Sequence, residues 1–269
     1  MPSYLIIGAS RGIGYQYLKH LSSEPSNKVV GIARNRAAVQ SRVDTDKLPN
    51  VRTIQGDLTD AASLNAAAQE AAEYTGGAID YLIINGAYLS EQTLFLKPTD
   101  YIGQEEFFLD ELTSSMNTNA AGVLYAINAF LPYVRKSSIK KVVVISSGHA
   151  DTELVGIADV TEAVPYAISK AAANILVAKY AAQFKDEGLI FLALSPGVVL
   201  TMAPSLDNLP PEVSAAYERM TKQFQKYEPS FKGPMTPEQS VAMQLKVIEG
   251  VTINDSGAFL SHLGTKRWL

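Results

Sequence analysis

Short apolar runs alternate with longer helix-forming segments along most of the chain. Tyr4–Ile7 and Leu189–Leu194 are continuous apolar runs of the kind found in strands that are buried on both faces. Such strands pair in parallel, and the crossovers between them are right-handed and usually contain a helix. The alternation therefore predicts an α/β fold, a doubly wound (Rossmann-type) parallel sheet with helices on both faces, in three layers.

The chain has enough apolar residues to form one large core. It contains 269 residues, of which 47% are hydrophobic, and we expect a single domain over residues 1–269. Residues 202–237 are rich in proline around one helical stretch, Glu212–Tyr227, and show little periodicity of apolar positions. This segment is predicted to be a mobile lid over a substrate site and not a part of the sheet.

Charge and residue usage exclude several classes of partner. The net charge is −4 and no run of five like charges occurs, which argues against nucleic acid and acidic membranes as partners. There is no cysteine, and the three histidines and the carboxylates show no metal-ligand spacing, so no metal site is expected. An apolar strand starts shortly after Met1 and no apolar run reaches the length of a membrane span. We therefore expect a cytoplasmic protein that binds a small molecule.

Three glycines separate the first strand from the first helix. Gly8, Gly12 and Gly14 follow the strand directly, and the helix extends to about Ser22. Glycines let backbone N–H groups approach a phosphate, and the helix N-terminus adds partial positive charge. The turn is predicted to bind the pyrophosphate of a dinucleotide, with a plain turn as the alternative.

The end of the second strand indicates which dinucleotide is bound. An acidic residue at this place binds the ribose 2′-hydroxyl of NAD(H), whereas an arginine accommodates the 2′-phosphate of NADP(H). Here Ala33 and Arg34 occupy the strand end, and Arg11 lies in the glycine-rich turn. Two arginines and no carboxylate predict that NADP(H) is preferred over NAD(H), unless both arginines are only solvated surface groups.

A tyrosine and a lysine begin a later helix that starts near Pro165. Residues at positions i and i+4 of a helix lie on one face, so Tyr166 and Lys170 point the same way. A nearby ammonium favours the phenolate, and we expect the Tyr166 pKa to fall from about 10 toward neutral pH. Such a phenol is a general acid or base. Because Tyr–Lys pairs also occur on helices by chance, the assignment depends on the other motifs.

Seven motifs follow one another along almost the whole chain. They are Gly8-Ala9-Ser10-Arg11-Gly12-Ile13-Gly14, Asp57-Leu58, Asn85-Gly86-Ala87, Asn119, Ser147, Tyr166-x-x-x-Lys170 and Pro196-Gly197-x-x-x-Thr201. In this order, at these strand ends, they resemble the short-chain dehydrogenase/reductase family. The segment Ser261–Leu269 also resembles the endings of fungal members of that family.

The resemblance implies a seven-stranded sheet and NAD(P)-dependent hydride transfer. It makes Tyr166 the general acid or base, Lys170 the residue that binds the nicotinamide ribose and lowers the Tyr166 pKa, and Ser147 the hydrogen-bond donor to the substrate oxygen. It also assigns to Asn119 a water that connects Lys170 to solvent. Family members are commonly homodimers or homotetramers through the helices that hold Asn119 and Tyr166, and we expect the same here.

The same motifs supply the candidate cofactor contacts, among which Val199 and Thr201 would meet the nicotinamide carboxamide. The full set is Gly8, Ser10, Arg11, Gly12, Ile13, Gly14, Arg34, Asp57, Leu58, Asn85, Gly86, Ala87, Tyr166, Lys170, Pro196, Gly197, Val199 and Thr201.

Two departures from the family pattern concern the site. The family usually has Asn-Ala-Gly where this chain has Asn85-Gly86-Ala87, so the backbone there is expected to differ slightly. The spacing from Ser147 to Tyr166 is longer than is common, by an insertion near 152–160 that should reshape one wall of the substrate pocket. Ser146 is the acting hydroxyl if the alignment shifts by one residue. His149 is a pocket-wall residue or, alternatively, an extra acid or base.

These observations predict an NADPH-dependent reductase of ketones or aldehydes, or the reverse alcohol dehydrogenase. One alternative is a protein that senses NADP(H) without turnover. Another is a dehydratase, epimerase or cyclase on the same scaffold. The substrate itself depends on the lid and on residues 150–164, which contain no recognisable motif.

Overall fold

The computed structural model describes residues 1–201 and 211–269, and within these ranges seven strands form one parallel sheet. The strands are β1 (Ser3–Ile7), β2 (Lys28–Ala33), β3 (Val51–Gln55), β4 (Tyr81–Ile84), β5 (Lys141–Ile145), β6 (Ile190–Ser195) and β7 (Phe259–Ser261). Their order across the sheet is β3-β2-β1-β4-β5-β6-β7. The predicted doubly wound α/β fold is confirmed.

Helices cover both faces of the sheet. They are α1 (Gly12–Ser22), α2 (Arg36–Thr45), α3 (Ala61–Thr75), α4 (Glu105–Met116), α5 (Gly122–Val134), α6 (Thr152–Ala158), α7 (Val164–Gln183), α8 (Pro211–Tyr227) and α9 (Pro237–Gly250). Helices α3, α5 and α7 bury their apolar side chains against one face, and α1, α2 and α9 bury theirs against the other. Strands buried on both sides need continuous apolar sequence, which explains the runs.

The strand order reverses between β1 and β4, and ligands of open α/β sheets bind at such a point. The register aligns the strand ends, because Ile7 pairs with both Ile32 and Ile84, and Ile84 pairs with Val144. The turns that follow β1, β2, β4 and β5 therefore leave the sheet at one edge.

Two glycines permit the close packing of these turns. Gly8 has a φ of 87°, and a Cβ there would lie 2.4 Å from the backbone of Gly86. A Cβ on Gly14 would lie 2.1 Å from the Gly8 carbonyl oxygen, which accepts a hydrogen bond of 3.0 Å from Asn85 Nδ2. Only glycine allows α1 to start this close to the β4 turn.

The helical segment before β5 is interrupted where Asn117 and Asn119 stand. A π-turn over Asn117–Ala121 separates α4 from α5, and the N–H of Gly122 donates to the carbonyl of Asn117. An extra residue in the turn widens the helix locally and re-aims its side chains.

Two elements differ from the expectations. Helix α2 has no counterpart in the sequence analysis, because only Val39 and Val43 of it are buried and the apolar pattern is sparse. The expected lid divides into residues 202–210, which lie outside the described residues, and a segment that contains the helix α8. Every helix in the described ranges is too short or too polar to cross a bilayer.

Candidate active site

Helix α7 presents Tyr166 and Lys170 at the carboxyl end of β5. Pro165 lies in the first turn of α7, where a missing N–H has no cost. The Lys170 Nζ donates a 2.7 Å hydrogen bond to the carbonyl oxygen of Ile145 and lies 5.6 Å from the centroid of the Tyr166 ring. Lys170 is only 2% exposed, whereas Tyr166 is partly exposed. The pair therefore faces one site, as predicted.

Burial dominates the electrostatics of this pair. Desolvation raises the pKa of Tyr166 to about 12, and a hydrogen bond with the Ser147 hydroxyl opposes the shift. Desolvation lowers the pKa of Lys170 to about 8. The expected fall of the Tyr166 pKa is thus wrong for the protein chain alone, because the cost of desolvating the phenolate outweighs the Ser147 hydrogen bond that favours it. At neutral pH the phenol is protonated.

The two adjacent serines have different surroundings. Ser146 is 1% exposed, and its hydroxyl donates a 2.6 Å hydrogen bond to Asn174 Oδ1. Ser147 is partly exposed and hydrogen-bonds with Tyr166. Since the Ser146 hydroxyl is committed to Asn174, the geometry favours Ser147 as the hydroxyl that meets a substrate.

The side chain of Asn119 joins the π-turn to helix α7. It is fully buried, and its Nδ2 donates to the Tyr88 carbonyl (2.8 Å) and to Ser169 Oγ (2.9 Å), while its Oδ1 accepts from the Tyr88 N–H (2.7 Å). The Ser169 hydroxyl in turn donates to the Tyr166 carbonyl (2.7 Å). Asn119 therefore positions the first turn of α7. Its water-holding role stays a prediction. Both hydrogens of the Asn119 amide are already donated, so a water at this side chain would have to donate a hydrogen bond to its Oδ1.

The start of α1 fits a pyrophosphate group. Arg11 is the N-cap residue, and within the described residues no side chain caps the helix and no acidic residue occupies its first turn. The first N–H groups of a helix have no partner inside it and attract anions. Ser10 is exposed here, and Ile13 anchors the turn by packing into the core beneath.

A cation–π contact supports this turn from α2, which the sequence analysis did not reveal. The Arg42 guanidinium lies 3.7 Å from the centroid of the Tyr15 ring and donates a 2.8 Å hydrogen bond to the Ser10 carbonyl. The Tyr15 hydroxyl donates to Asp46 Oδ2 at 2.8 Å. Arg42 thereby fixes the backbone next to Arg11.

An open pocket of about 590 Å³ lies at the end of β2. Its lining residues are Arg34, Asn35, Arg36, Ala37, Gln40 and Gln55. This lining has two arginines and no carboxylate. In the part of the chain that the structure describes, Arg11 and Arg34 form no ion pair, whereas Arg36 and Arg52 share Glu70. The pocket fits a phosphate next to a nucleoside, and Arg36 adds a residue that the sequence analysis missed.

Asp57 and Leu58 follow β3 at the same edge. Asp57 Oδ1 accepts hydrogen bonds from the N–H and the hydroxyl of Thr59, each at 2.9 Å, so it holds its own turn. A Cβ on Gly86 would lie 2.8 Å from Leu58 Cδ1. The Gly86-Ala87 order therefore leaves space for Leu58, and Ala87 is exposed toward the site edge.

The turn after β6 reaches the glycine-rich turn. A Cβ on Gly12 would lie 3.2 Å from Thr201 Cγ2, and Val199 forms a bridge with Met235. The Pro196 carbonyl accepts a 2.7 Å hydrogen bond from Ser240.

His262 supports the same turn from below. It is 4% exposed, and its ring lies 2.8 Å from the place where a Cβ of Gly197 would be. Gly197 has a φ of 79°, so only glycine suits this contact. Burial lowers the pKa of His262 and keeps it neutral. Sequence reasoning did not reveal this role of His262, because His262 is far from Gly197 in the chain.

His149 lies beside the candidate catalytic residues, and its backbone N–H donates a 3.2 Å hydrogen bond to Ser147 Oγ. It is partly exposed, burial lowers its pKa, and the Glu162 carboxylate opposes that shift. A neutral ring here suits a pocket wall, so its use as an acid or base stays open. Across both described ranges, no cluster of side chains has the makeup of a metal site.

Comparisons with known proteins agree with this geometry. A model of the short chain dehydrogenase family matches residues 3–208. The short-chain dehydrogenase/reductase AacuF of Aspergillus aculeatus is 46% identical over 272 residues, covering 100% of both chains. The short-chain dehydrogenase/reductase atnB of an Arthrinium species is 39% identical over 274 residues, again covering 100% of both.

Solved structures show the same fold. The NADPH-bound carbonyl reductase from chicken fatty liver has a TM-score of 0.78 and 25% identity, covering 98% of this chain and 93% of that one. The carbonyl reductase Sniffer of D. melanogaster has a TM-score of 0.77 at 19% identity and 98% coverage of both chains, which shows the fold alone.

Lys170 is predicted to make the protein more stable as the pH rises from about 8 to about 10. The folded chain releases the Lys170 proton near pH 8, whereas the unfolded chain keeps it to about 10.5, so the unfolded state binds more protons in this window. Between pH 8 and pH 10, the free energy of unfolding of the wild type should increase by on the order of 2–3 kcal/mol more than that of Lys170→Met. Urea titrations of both proteins across this window measure the difference.

Measurements should stop near pH 10, because Tyr166 then acts in the opposite direction. Its folded pKa of about 12 exceeds the unfolded value of 10.0, so stability falls as the pH rises further. An equal pH dependence in wild type and Lys170→Met would show that Lys170 is not desolvated as described.

Proposed function

The chain belongs to the short-chain dehydrogenase/reductase family, and we propose that it is an NADP(H)-dependent oxidoreductase that reduces a ketone or aldehyde to an alcohol, or catalyses the reverse reaction. The observation that carries the proposal is the meeting of Ser147, Tyr166 and Lys170 at the carboxyl end of β5. A protonated phenol beside the Ser147 hydroxyl suits a carbonyl oxygen that gains negative charge.

The proposed chemistry divides between the cofactor and the chain. When bound, the nicotinamide supplies the hydride for reduction, or accepts it in the reverse direction. The Ser147 hydroxyl donates a hydrogen bond to the carbonyl oxygen, and Tyr166 transfers its proton to the same atom. The Lys170 ammonium stabilises the phenolate that remains. In the last proposed step, a proton from solvent returns to the Tyr166 phenolate through a water at Asn119 and through Lys170.

The preference for NADP(H) is supported by the charge around the β2 pocket. Arg34 and Arg36 line it, and no carboxylate lines it. The Arg42–Ser10 hydrogen bond joins α2, whose first turns line this pocket, to the turn that carries Arg11. A 2′-phosphate has two negative charges to balance there, whereas the 2′-hydroxyl of NAD(H) offers these arginines little. The chicken reductase structure holds NADPH.

Association and location extend the proposal. Helices α4, α5 and α7 expose large apolar side chains, namely Leu109, Tyr125, Ile168 and Ile175. We infer from this face and from the family pattern that the protein is a homodimer or homotetramer. The net charge of −4 is consistent with a cytoplasmic enzyme that acts on a small molecule, without nucleic acid or membrane partners.

Tyr166→Phe is predicted to lose at least about 100-fold in turnover, because the proton donor is removed. The measurement is NADPH oxidation with a panel of ketones, aldehydes and quinones, together with NADPH binding by fluorescence titration. Tyr180→Phe is the matched control, since Tyr180 also lies on α7 but donates its hydroxyl to Asn128 Oδ1. It should keep full activity.

Retained activity in Tyr166→Phe would refute the assigned acid. Tight NADPH binding by wild type with no turnover of any carbonyl would favour the sensing protein. A product that differs from the substrate without net reduction would favour a dehydratase, epimerase or cyclase.

Arg34→Ala is predicted to weaken NADPH binding by roughly 10- to 100-fold, since a charge-assisted contact with the 2′-phosphate is lost. NADH binding should change little, so the ratio of the two dissociation constants is the measurement. Arg135→Ala serves as the control, because Arg135 is also exposed but pairs with Glu187 on another face. Equal losses for NADPH and NADH in Arg34→Ala would contradict the assignment.

Ile175→Glu is predicted to dissociate the oligomer, because a charge would be buried in the proposed interface. Ile175 is 62% exposed in the single chain. Sedimentation velocity measures the molecular mass in solution. Ile253→Glu, at a residue that is 43% exposed elsewhere, should leave it unchanged. A monomeric wild type would refute the interface.

A further inference from the structure

The segment that follows β7 packs against the loop that follows Ser147. Trp268 is the single tryptophan of the chain and is 2% exposed. Its ring lies 4.3 Å from the Phe259 ring, centroid to centroid. A Cβ built on Gly148 would lie 3.6 Å from the Trp268 Cβ, so the backbone of Gly148 rests against the tryptophan.

Trp268 also belongs to a separate apolar cluster, which we name the Trp268 cluster. Its buried members are Leu154, Ala158, Val160, Phe224 and Trp268. The first three belong to the insertion between Ser147 and Tyr166, and Phe224 belongs to α8. The tryptophan therefore joins three segments that the chain brings together from distant places.

Polar contacts hold the members of this cluster in register. The Asp159 carboxylate pairs with Lys226 of α8, and the Asp159 carbonyl accepts a 3.2 Å hydrogen bond from Gln223 Nε2. The Tyr227 hydroxyl donates to the Lys266 carbonyl at 3.2 Å. Helix α8 is thus tied both to α6 and to the segment that carries Trp268.

The cluster is one residue away from the reacting groups. Gly148 follows Ser147 directly, and its backbone is enclosed between Trp268 and Leu154, whose Cδ2 would lie 2.9 Å from a Cβ at that position. A displacement of Trp268 would be passed to Ser147 through a single peptide unit. The β2 pocket lies at the end of β2, which is three strands away from β5 in the sheet.

We propose that Trp268 is a positioning residue, which holds the Ser147 loop and helices α6 and α8 as one wall of the substrate site. The expected effect on kinetics rests on the proposed carbonyl reductase function, whereas the positioning role itself does not. Substitution should impair the use of the carbonyl substrate and spare the binding of NADPH, because no lining residue of the β2 pocket belongs to the Trp268 cluster.

The experiment compares Trp268→Ala and Trp268→Phe with the wild type. Hydrogen exchange of the amides in 148–160 and in α8 is the direct measurement, and Trp268→Ala should raise it by at least about tenfold. Where a carbonyl substrate is turned over, its KM should rise and kcat should fall. The NADPH dissociation constant should stay within about threefold. Trp268→Phe keeps a ring against Phe259 and should restore most of the protection and activity.

Leu21→Ala is the matched control, since Leu21 is 3% exposed in the core on the opposite face of the sheet. It should lower the melting temperature and leave the exchange of 148–160 as in wild type. If Trp268→Ala does not fold, Trp268→Leu takes its place in the same comparison.

Two results would overturn the inference: unchanged exchange of 148–160 in the folded Trp268 variant, or an equal increase in Leu21→Ala. Failure of the proposed function has a different signature, because wild type would then turn over no carbonyl while the exchange measurements still decide the role of Trp268. If NADPH binding were lost to the same extent as activity, Trp268 would contribute only to the overall stability of the fold, which would also overturn the inference.

Discussion

The contact between Gly8 and Gly86 is the constraint on which the site depends. The turns after β1 and β4 touch at their backbones, and Asn85 closes the contact with a hydrogen bond to the Gly8 carbonyl. This places the start of α1, with its free N–H groups, beside the carboxyl edge of the sheet. The turn with Thr201 then comes within contact of Gly12.

Burial sets the pKa values of Tyr166 and Lys170. Lys170 is bonded to the Ile145 carbonyl in a site with almost no exposure, so its pKa falls to about 8, and the same desolvation keeps Tyr166 protonated. A phenol that holds its proton at neutral pH is suited to give it to a carbonyl oxygen only when the product anion is stabilised at once. In the proposed reaction, Ser147 and Lys170 supply that stabilisation.

In the proposed enzyme, the substrate side is built differently from the cofactor side. Glycine turns and arginines form the cofactor side, and they come from the first strands. The substrate side is assembled from α6, α8 and the segment around Trp268, which are held by apolar packing and by the Asp159–Lys226 pair. Separate construction lets the wall that meets the substrate change without disturbing the binding of the dinucleotide.

The α/β class, its buried strands and the motif residues could be predicted from the sequence, because they depend on local periodicity and on residues close together in the chain. The side chains that support them are recognised only in the folded chain. Arg42 under Ser10, His262 under Gly197 and Trp268 beside Gly148 act across long sequence separations. The pKa of Tyr166 was also a tertiary matter, since spacing shows the neighbouring lysine but not the depth of burial that opposes it.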